Sequence, residues 1–281
     1  PALSVLQALR DEAEVLWVGG EGGMEAELVA RQGVPFKAIP AAGLHGVGLT
    51  ALPRNLLQMA RGVLASRRVL DEFRPDVIFF TGGYVAGPMA VAARSVPSLL
   101  YVPDIEPGKA LSFLARSAKV IALTTETSRG YFQNARQARL VVTGYPTRPD
   151  LQSWSRSAAR EKLGLVSDLP VVLIFGGSKG ARSINRALLY GLPRLLQRAE
   201  VLHISGKLDW DEVQQAREQL PAELAERYHT FDYLHEMGAA FTAADLAVSR
   251  AGASCLGEYP LFGLPAILAP YPYAWRYQKV N

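Results

Sequence analysis

The run Val171-Val172-Leu173-Ile174-Phe175 is followed at once by Gly176-Gly177-Ser178-Lys179-Gly180-Ala181-Arg182. The apolar run reads as a buried parallel strand, the glycines as a tight turn, and the residues from Ala181 onward as an amphipathic helix. A helix that starts at a strand end exposes unpaired N–H groups, and those donors together with the helix dipole favour a negative charge. Glycine lets the backbone approach a diphosphate closely and take positive φ where the turn needs it. This pattern suits the capture of a nucleotide or nucleotide sugar near position 177.

Two further glycine turns follow strand-like segments: Gly82-Gly83-Tyr84-Val85-Ala86-Gly87-Pro88, and Ser249-Arg250-Ala251-Gly252-Ala253-Ser254-Cys255-Leu256-Gly257-Glu258. Each sits where an open parallel sheet takes its ligands. Any one of them is equally well a structural turn, but three in adjoining domains favour a ligand cleft. Glu258, about four residues into its helix, can accept hydrogen bonds from ribose hydroxyls or simply answer the helix dipole. Ser178 can donate to a phosphate or cap a helix. Arg148 can neutralise a phosphate, stack on a base, or stand solvated. Gln278 can bind sugar hydroxyls or nothing, and Cys255 reads most simply as a small buried apolar group.

No paired carboxylates, metal-spaced histidines or serine–histidine–acid pattern stand out. His45, His203, His229 and His235 are scattered, and His203, in strand register, reads as a core histidine. The chain therefore offers a binding cleft and no evident general base. The turn at Gly176 lacks Gly-x-Gly-x-x-Gly spacing, which disfavours a dehydrogenase.

The elements that must hold these turns alternate between strand and helix. Strands are expected at 15–19, 34–39, 76–81, 98–102, 120–123, 140–143, 171–175, 201–205, 228–233, 246–249 and 266–269, with helices between most of them and a long one over 53–73. Gly144-Tyr145-Pro146-Thr147-Arg148-Pro149 is a turn-rich break between two such runs. The pattern implies two doubly wound α/β domains facing a cleft, over 1–148 and 149–281.

Composition agrees with an ordinary globular protein: 281 residues, 49% hydrophobic, 20% charged. The single cysteine rules out an internal disulfide and a cysteine-rich zinc site. No apolar run is long enough to span a membrane. The opening helix without a preceding strand, and the stop at Lys279-Val280-Asn281 with no helix to close the last strand, lead us to expect that both ends are cut. The net charge of +4 is uneven: the stretch from Leu28 to Leu70 contains no acid, and sets Arg31, Lys37, Arg54, Arg61, Arg67 and Arg68 among Leu44, Val47, Leu49, Leu56, Leu57 and Leu64. Such a surface suits an anionic membrane, while Leu56, Leu57, Ala60, Val63 and Leu64 also make an ordinary core-facing stripe. Nucleic acid is disfavoured, because no aromatic residues punctuate the arginines.

The chain resembles the MurG family, the UDP-N-acetylglucosamine–N-acetylmuramyl-(pentapeptide) pyrophosphoryl-undecaprenol N-acetylglucosamine transferases. The likeness runs over nearly all of it. Gly176 to Arg182 and Arg250 to Glu258 carry it most specifically, joined by Gly82 to Pro88 and by Gly263-Leu264-Pro265-Ala266-Ile267-Leu268 with Gln278 and Asn281. The resemblance implies two Rossmann-like domains of the glycosyltransferase B type. It implies an inverting transfer of GlcNAc from UDP-GlcNAc to undecaprenyl-diphosphate-linked N-acetylmuramyl-pentapeptide in peptidoglycan synthesis, at the cytoplasmic face of the bacterial plasma membrane. On that basis the second half holds the donor. Gly177 and Ser178 lie at the diphosphate, Leu234 reads the uracil through its backbone, and Gly252, Ala253, Ser254 and Cys255 wrap the phosphates and ribose. Glu258 takes the ribose hydroxyls, Gln278 the sugar, and Arg148 matches the arginine of the family's Gly-Asn-Pro-Val-Arg motif. The first half takes the lipid-linked acceptor at Gly82, Gly83 and Tyr84 and docks on the membrane peripherally.

Three departures accompany the likeness. The family's first glycine-rich loop would lie just before Pro1. Its His-Glu-Gln-Asn segment appears as Tyr101-Val102-Pro103-Asp104, which leaves Asp104 as the candidate catalytic base. The asparagine of the Gly-Asn-Pro motif is Tyr145. Helix dipoles can stand in for a metal at the diphosphate, so no obligatory metal or cofactor is expected. The alternatives are a related UDP-sugar transferase acting on another lipid such as diacylglycerol, and a noncatalytic nucleotide-sugar-binding relative. A sugar-nucleotide epimerase would need cleft acids that the sequence does not place.

Overall fold

Eleven strands are assigned among the described residues, which are 1–9, 12–23, 25–43, 52–135, 137–177, 179–273 and 277–281 of a computed structural model. They are β1 (Trp17–Gly20), β2 (Phe36–Ile39), β3 (Ile78–Phe80), β4 (Ser98–Val102), β5 (Val120–Leu123), β6 (Arg139–Val142), β7 (Val171–Phe175), β8 (Glu200–Ile204), β9 (Tyr228–Phe231), β10 (Leu246–Ser249) and β11 (Ala266–Leu268). Every pairing is parallel. The chain divides into two units, Pro1–Pro146 and Thr147–Asn281.

In the first unit, β3, β4, β5 and β6 form a four-stranded sheet in sequence order, and β1 and β2 form a separate pair. Val18 and Ile39, from that pair, join the same core as Phe80, Leu100 and Ile121. The long helix Leu52–Phe73 buries Gly62 and Ser66. Its Gly62 must be glycine because a Cβ there would lie 2.2 Å from the Pro40 carbonyl oxygen. Leu56, Leu57 and Leu64 are instead more than half exposed. The core-facing stripe considered from the sequence therefore lies elsewhere on this helix: the small residues, not the leucines, allow its close approach to the rest of the unit. Leu44, Val47 and Leu49 lie outside the described residues.

In the second unit the sheet order is β11-β10-β7-β8-β9. The chain winds outward from β7 through β8 to β9, then returns to the other side of β7 for β10 and β11. The point of reversal lies between β7 and β10, the place in an open parallel sheet where ligands sit outside the strands' carboxyl ends. The unbroken apolar run of β7 follows from its central place. Val171 and Leu173 pack into one core with Leu202 and Phe241, while Val172 and Ile174 pack into the opposite one with Leu188 and Tyr228. With a period of two, both faces are covered, so no position can be polar. Each of these side chains contributes about 1.5–3 kcal/mol by leaving water. Among the described residues, no helix is long and apolar enough to cross a membrane.

Candidate functional site

Both glycine turns of the second unit flank the reversal point. After β7, Gly177 has φ of 92° and Gly180 φ of 77°, and Gly180 N–H closes the turn on Gly177 O at 2.9 Å. A Cβ on Gly176 would sit 2.2 Å from the Ala181 nitrogen, and one on Gly180 2.1 Å from Ser205 O. Gly176 is therefore required by close approach, Gly177 by conformation, and Gly180 by both. The helix Arg182–Leu196 then begins on Ala181, with no side-chain cap. Ser178 lies outside the described residues.

After β10, the segment 251–254 leads into the helix Cys255–Phe262. The N–H groups of Gly252, Ala253 and Ser254 meet no hydrogen-bond acceptor among the described residues, while their carbonyls accept from Cys255, Leu256, Gly257 and Glu258. Three successive open donors in a half-buried turn form the kind of backbone cradle that suits an anion. Cys255 is buried against the core and contributes packing, as its side chain predicts. Leu234, between β9 and the helix Met237–Ala243, also turns its side chain into the core. A residue so placed offers a ligand its backbone.

Glu258 occupies the first turn of its helix. Burial pushes its carboxyl above the usual carboxylate range, against the lowering effects of the Ser254 hydroxyl and the Arg148 charge. The structure thus brings Arg148, Ser254 and Glu258 into one electrostatic neighbourhood. Arg148 also lies 3.8 Å from Asp150. Gln278 accepts the Tyr271 N–H on Oε1 at 2.8 Å, so this side chain pins the segment beyond β11.

Beneath the β7 turn runs a buried chain of hydrogen bonds. Tyr228 O–H donates to His203 Nδ1 at 2.7 Å, and His203 Nε2 donates to Asn185 Oδ1 at 3.0 Å. Asn185 Nδ2 donates to Ser205 O and to Asp209 Oδ2, both at 2.9 Å. Arg182 Nε completes the chain on Asp209 Oδ1 at 2.7 Å. The direction is fixed at one end by Asp209, which only accepts, and this sets the histidine tautomer. Burial lowers the His203 pKa to about 4, so the ring is neutral. His203 is the satisfied core histidine its register predicts. Asn185 and Asp209 had no signal of their own in the sequence, because their role depends on the approach of β8 to the first turn after β7.

In the first unit, Gly82 and Gly83 take φ of 102° and 86° at the end of β3, and Tyr84 is exposed. Asp104 follows β4, the strand paired with β3. Its charge, together with the dominant effect of burial, helps to raise the neighbouring Tyr101 hydroxyl to about 12 against the lowering Thr124 hydrogen bond. Tyr101 is held by Thr124 Oγ1 at 2.8 Å. Among the described residues no cluster of metal-ligating side chains occurs.

Residues 1–122 match the glycosyltransferase family 28 N-terminal domain, and residues 171–281 its C-terminal domain. A Roseiflexus sp. (strain RS-1) protein named UDP-N-acetylglucosamine–N-acetylmuramyl-(pentapeptide) pyrophosphoryl-undecaprenol N-acetylglucosamine transferase is 45% identical, over 95% of this chain and 68% of its own length. The chain belongs to the MurG family. The like-named relative from Desulforudis audaxviator (strain MP104C) is 37% identical over 100% of this chain and 78% of its own. Among solved structures, MurG of Acinetobacter baumannii superposes with a TM-score of 0.74 at 28% identity, covering 100% of this chain and 78% of that one. The UDP-GlcNAc 2-epimerase of Neisseria meningitidis bound to UDP-GlcNAc reaches 0.63 at 13% identity, over 94% and 77%, and shares the fold. The MurG family and its two-domain α/β fold are thus those that the sequence motifs lead one to expect.

Proposed function

We propose that the chain is an inverting hexosyltransferase that moves GlcNAc from UDP-GlcNAc to undecaprenyl-diphosphate-linked N-acetylmuramyl-pentapeptide. The reading is carried by the open backbone donors of Gly252, Ala253 and Ser254 at the reversal point between β7 and β10, in a chain whose family members bear that activity in their names. In this reading those donors and the Gly177 turn, with Ser178, take the donor diphosphate. Leu234 meets the uracil through its backbone, Glu258 accepts from the ribose hydroxyls, Cys255 lines the wrapping turn, and Arg148 and Gln278 complete the donor contacts.

Transfer requires charge to grow on departing UDP while a hydroxyl attacks the anomeric carbon. Fixed dipoles and cations aimed at the diphosphate stabilise that charge without rearranging, and no metal ion is required for it. The attacking hydroxyl must lose a proton, and Asp104 is the candidate base, beside the acceptor turn Gly82, Gly83 and Tyr84. The exposed Leu56, Leu57 and Leu64, among Arg54, Arg61, Arg67 and Arg68 on one helix, form the surface that docks peripherally on an anionic membrane at its cytoplasmic face. Nucleic acid has no part in this reading.

The test is UDP release from UDP-GlcNAc with the lipid-linked muramyl-pentapeptide as acceptor. Release with this acceptor and not with diacylglycerol is expected. Release with diacylglycerol alone would make the protein a transferase of another lipid, and tight donor binding without turnover a noncatalytic relative.

A further inference from the structure

Asp104 stands just past β4, behind Pro103. Proline has no N–H, so it cannot carry the ladder between β4 and β5 any further, and the register ends at Val102 and Leu123. Whatever aims Asp104 must therefore come from outside the ladder. Thr124, the first residue beyond β5, supplies it. Its hydroxyl donates to the carbonyls of Val102 and Pro103, each at 3.0 Å. Those carbonyls only accept, so the one proton of Thr124 is committed to them, and the Tyr101 hydroxyl donates to Thr124 Oγ1 at 2.8 Å. Both side chains are buried, and the Tyr145 ring stands edge-on to Tyr101 with centroids 6.4 Å apart. Asp104 is near enough for its charge to act on the Tyr101 hydroxyl.

The two hydroxyls close a ring. It runs from the Tyr101 side chain through Thr124 to the backbone of the two residues that follow Tyr101. The peptide that carries Asp104 is thereby fastened to the end of β5, at a buried point where a carbonyl that lost its donor would find no water in exchange. A group that accepts a proton must be held within hydrogen-bond reach of it, and a misplacement of about 1 Å is enough to cost about a hundredfold in rate. A fastening one residue upstream of a carboxylate therefore bears on what that carboxylate can do.

We infer that Thr124 is a positioning residue for the transfer, whose hydroxyl, itself held by Tyr101, clamps Val102 and Pro103 and so aims the Asp104 carboxylate at the acceptor hydroxyl. This rests on the reading of Asp104 as the base and deepens it. A threonine that served the fold alone would support substrate binding and turnover alike. A positioning threonine acts on the transfer step, and only while Asp104 is there to be aimed.

The experiment is steady-state UDP release with the lipid-linked acceptor, for the unaltered chain, Thr124→Val, Thr124→Ser, Asp104→Asn and the double variant Thr124→Val/Asp104→Asn. Valine keeps the branched shape and removes the hydroxyl, and serine keeps the hydroxyl. Thr124→Val is expected to lower kcat by about ten- to a hundredfold with both KM values within about twofold, and Thr124→Ser to recover most of the loss. Added to Asp104→Asn, Thr124→Val is expected to cost less than about twofold more. An unchanged kcat in Thr124→Val, equal kcat in the valine and serine variants, a rise in KM alone, or independent losses in the double variant would each overturn the inference and leave Asp104 as the base. Full turnover in Asp104→Asn would overturn the base reading, and an unaltered chain without turnover the transferase reading, and either takes the inference with it. Where Asp104→Asn leaves no turnover to measure, the serine recovery and the KM values decide. A valine variant that loses its fold is recognised by its circular dichroism. Tyr101→Phe, which removes the donor to Thr124, then decides: a lower kcat at constant KM is expected, and an unchanged kcat would overturn the inference.

Discussion

His229 Nε2 lies 2.7 Å from Glu200 Oε2, and the Glu200 carboxylate is fully buried at the first position of β8. Its other oxygen accepts from the Ser167 N–H and hydroxyl at 2.8 and 2.7 Å. Arg160 lies 3.6 Å away. Burial by itself raises this carboxyl, but the Ser167 and His229 interactions outweigh it and the net shift is downward. A carboxyl depressed by folding contributes stability that is present above its unfolded pKa and disappears as pH falls through the folded one. We expect the protein to lose stability below about pH 4, and Glu200→Ala to cost about 3 kcal/mol near neutrality by stranding its partners. Urea denaturation of the variant across pH checks both; a cost below about 1 kcal/mol would contradict the account.

His203 is expected to titrate with the opposite charge change. Its pKa of about 4 lies below the unfolded value, so the stability it confers is full above about pH 6.5 and is lost on acidification through the folded pKa. That loss should reach about 3 kcal/mol. Ring resonances followed by NMR should show a neutral His203 with hydrogen on Nε2 down to about pH 5. A ring that charged near pH 6.5 would refute the buried chain from Tyr228 to Asp209.

Glu258 presents a conflict between stability and binding. Burial raises its folded pKa, so carrying the charge costs stability near neutrality, and the cost vanishes below the unfolded pKa. Glu258→Gln should therefore raise the melting temperature while weakening UDP. Glu258→Ala should weaken UDP by about 1–3 kcal/mol through lost charge-assisted hydrogen bonds. Unchanged UDP affinity on calorimetry would remove Glu258 from the site.

Two glycines on neighbouring elements should respond in opposite senses to the same substitution. Gly180→Ala meets Ser205 O at 2.1 Å and a positive φ, and should cost at least about 2 kcal/mol. Gly191, exposed inside the helix Arg182–Leu196, has open space around its absent Cβ, and Gly191→Ala should stabilise by about 0.5–1 kcal/mol. Thermal denaturation of the pair is the measurement. Equal effects would mean that the turn after β7 is not held as tightly as Gly180 and Ser205 imply.

Membrane docking through the helix Leu52–Phe73 predicts that flotation with anionic vesicles weakens as salt is raised and falls further in Arg61→Glu. Flotation indifferent to both would leave the exposed leucines without this role.

Much of the architecture was legible because long-range order here is written locally. The doubly covered strand β7 shows an unbroken apolar run, and glycine turns mark the strand ends on either side of the reversal point. The outward-facing leucines of the helix Leu52–Phe73 were less legible. Hydrophobic spacing marks a face, but the close approach at Gly62 decides which face turns inward. The short helices Ala222–Ala225 and Glu126–Phe132 escaped notice for want of enough residues to show a period. The polar chain through Asn185 and Asp209 joins residues from separate elements, and no spacing within either element announces it.

Strand β7 finds one neighbour, β8, immediately downstream, and the other, β10, only after β9 has been laid down. Contacts between distant parts of a chain form late, because closing the intervening loop costs entropy before any contact rewards it. A nascent chain that has assembled β7, β8 and β9 therefore owns a sheet and half a core, but not the open backbone donors of 252–254. If those donors take the nucleotide as proposed, nucleotide added during refolding should bind only to molecules in which β10 has arrived, making ligand capture a reporter of a late step of assembly in this half of the molecule.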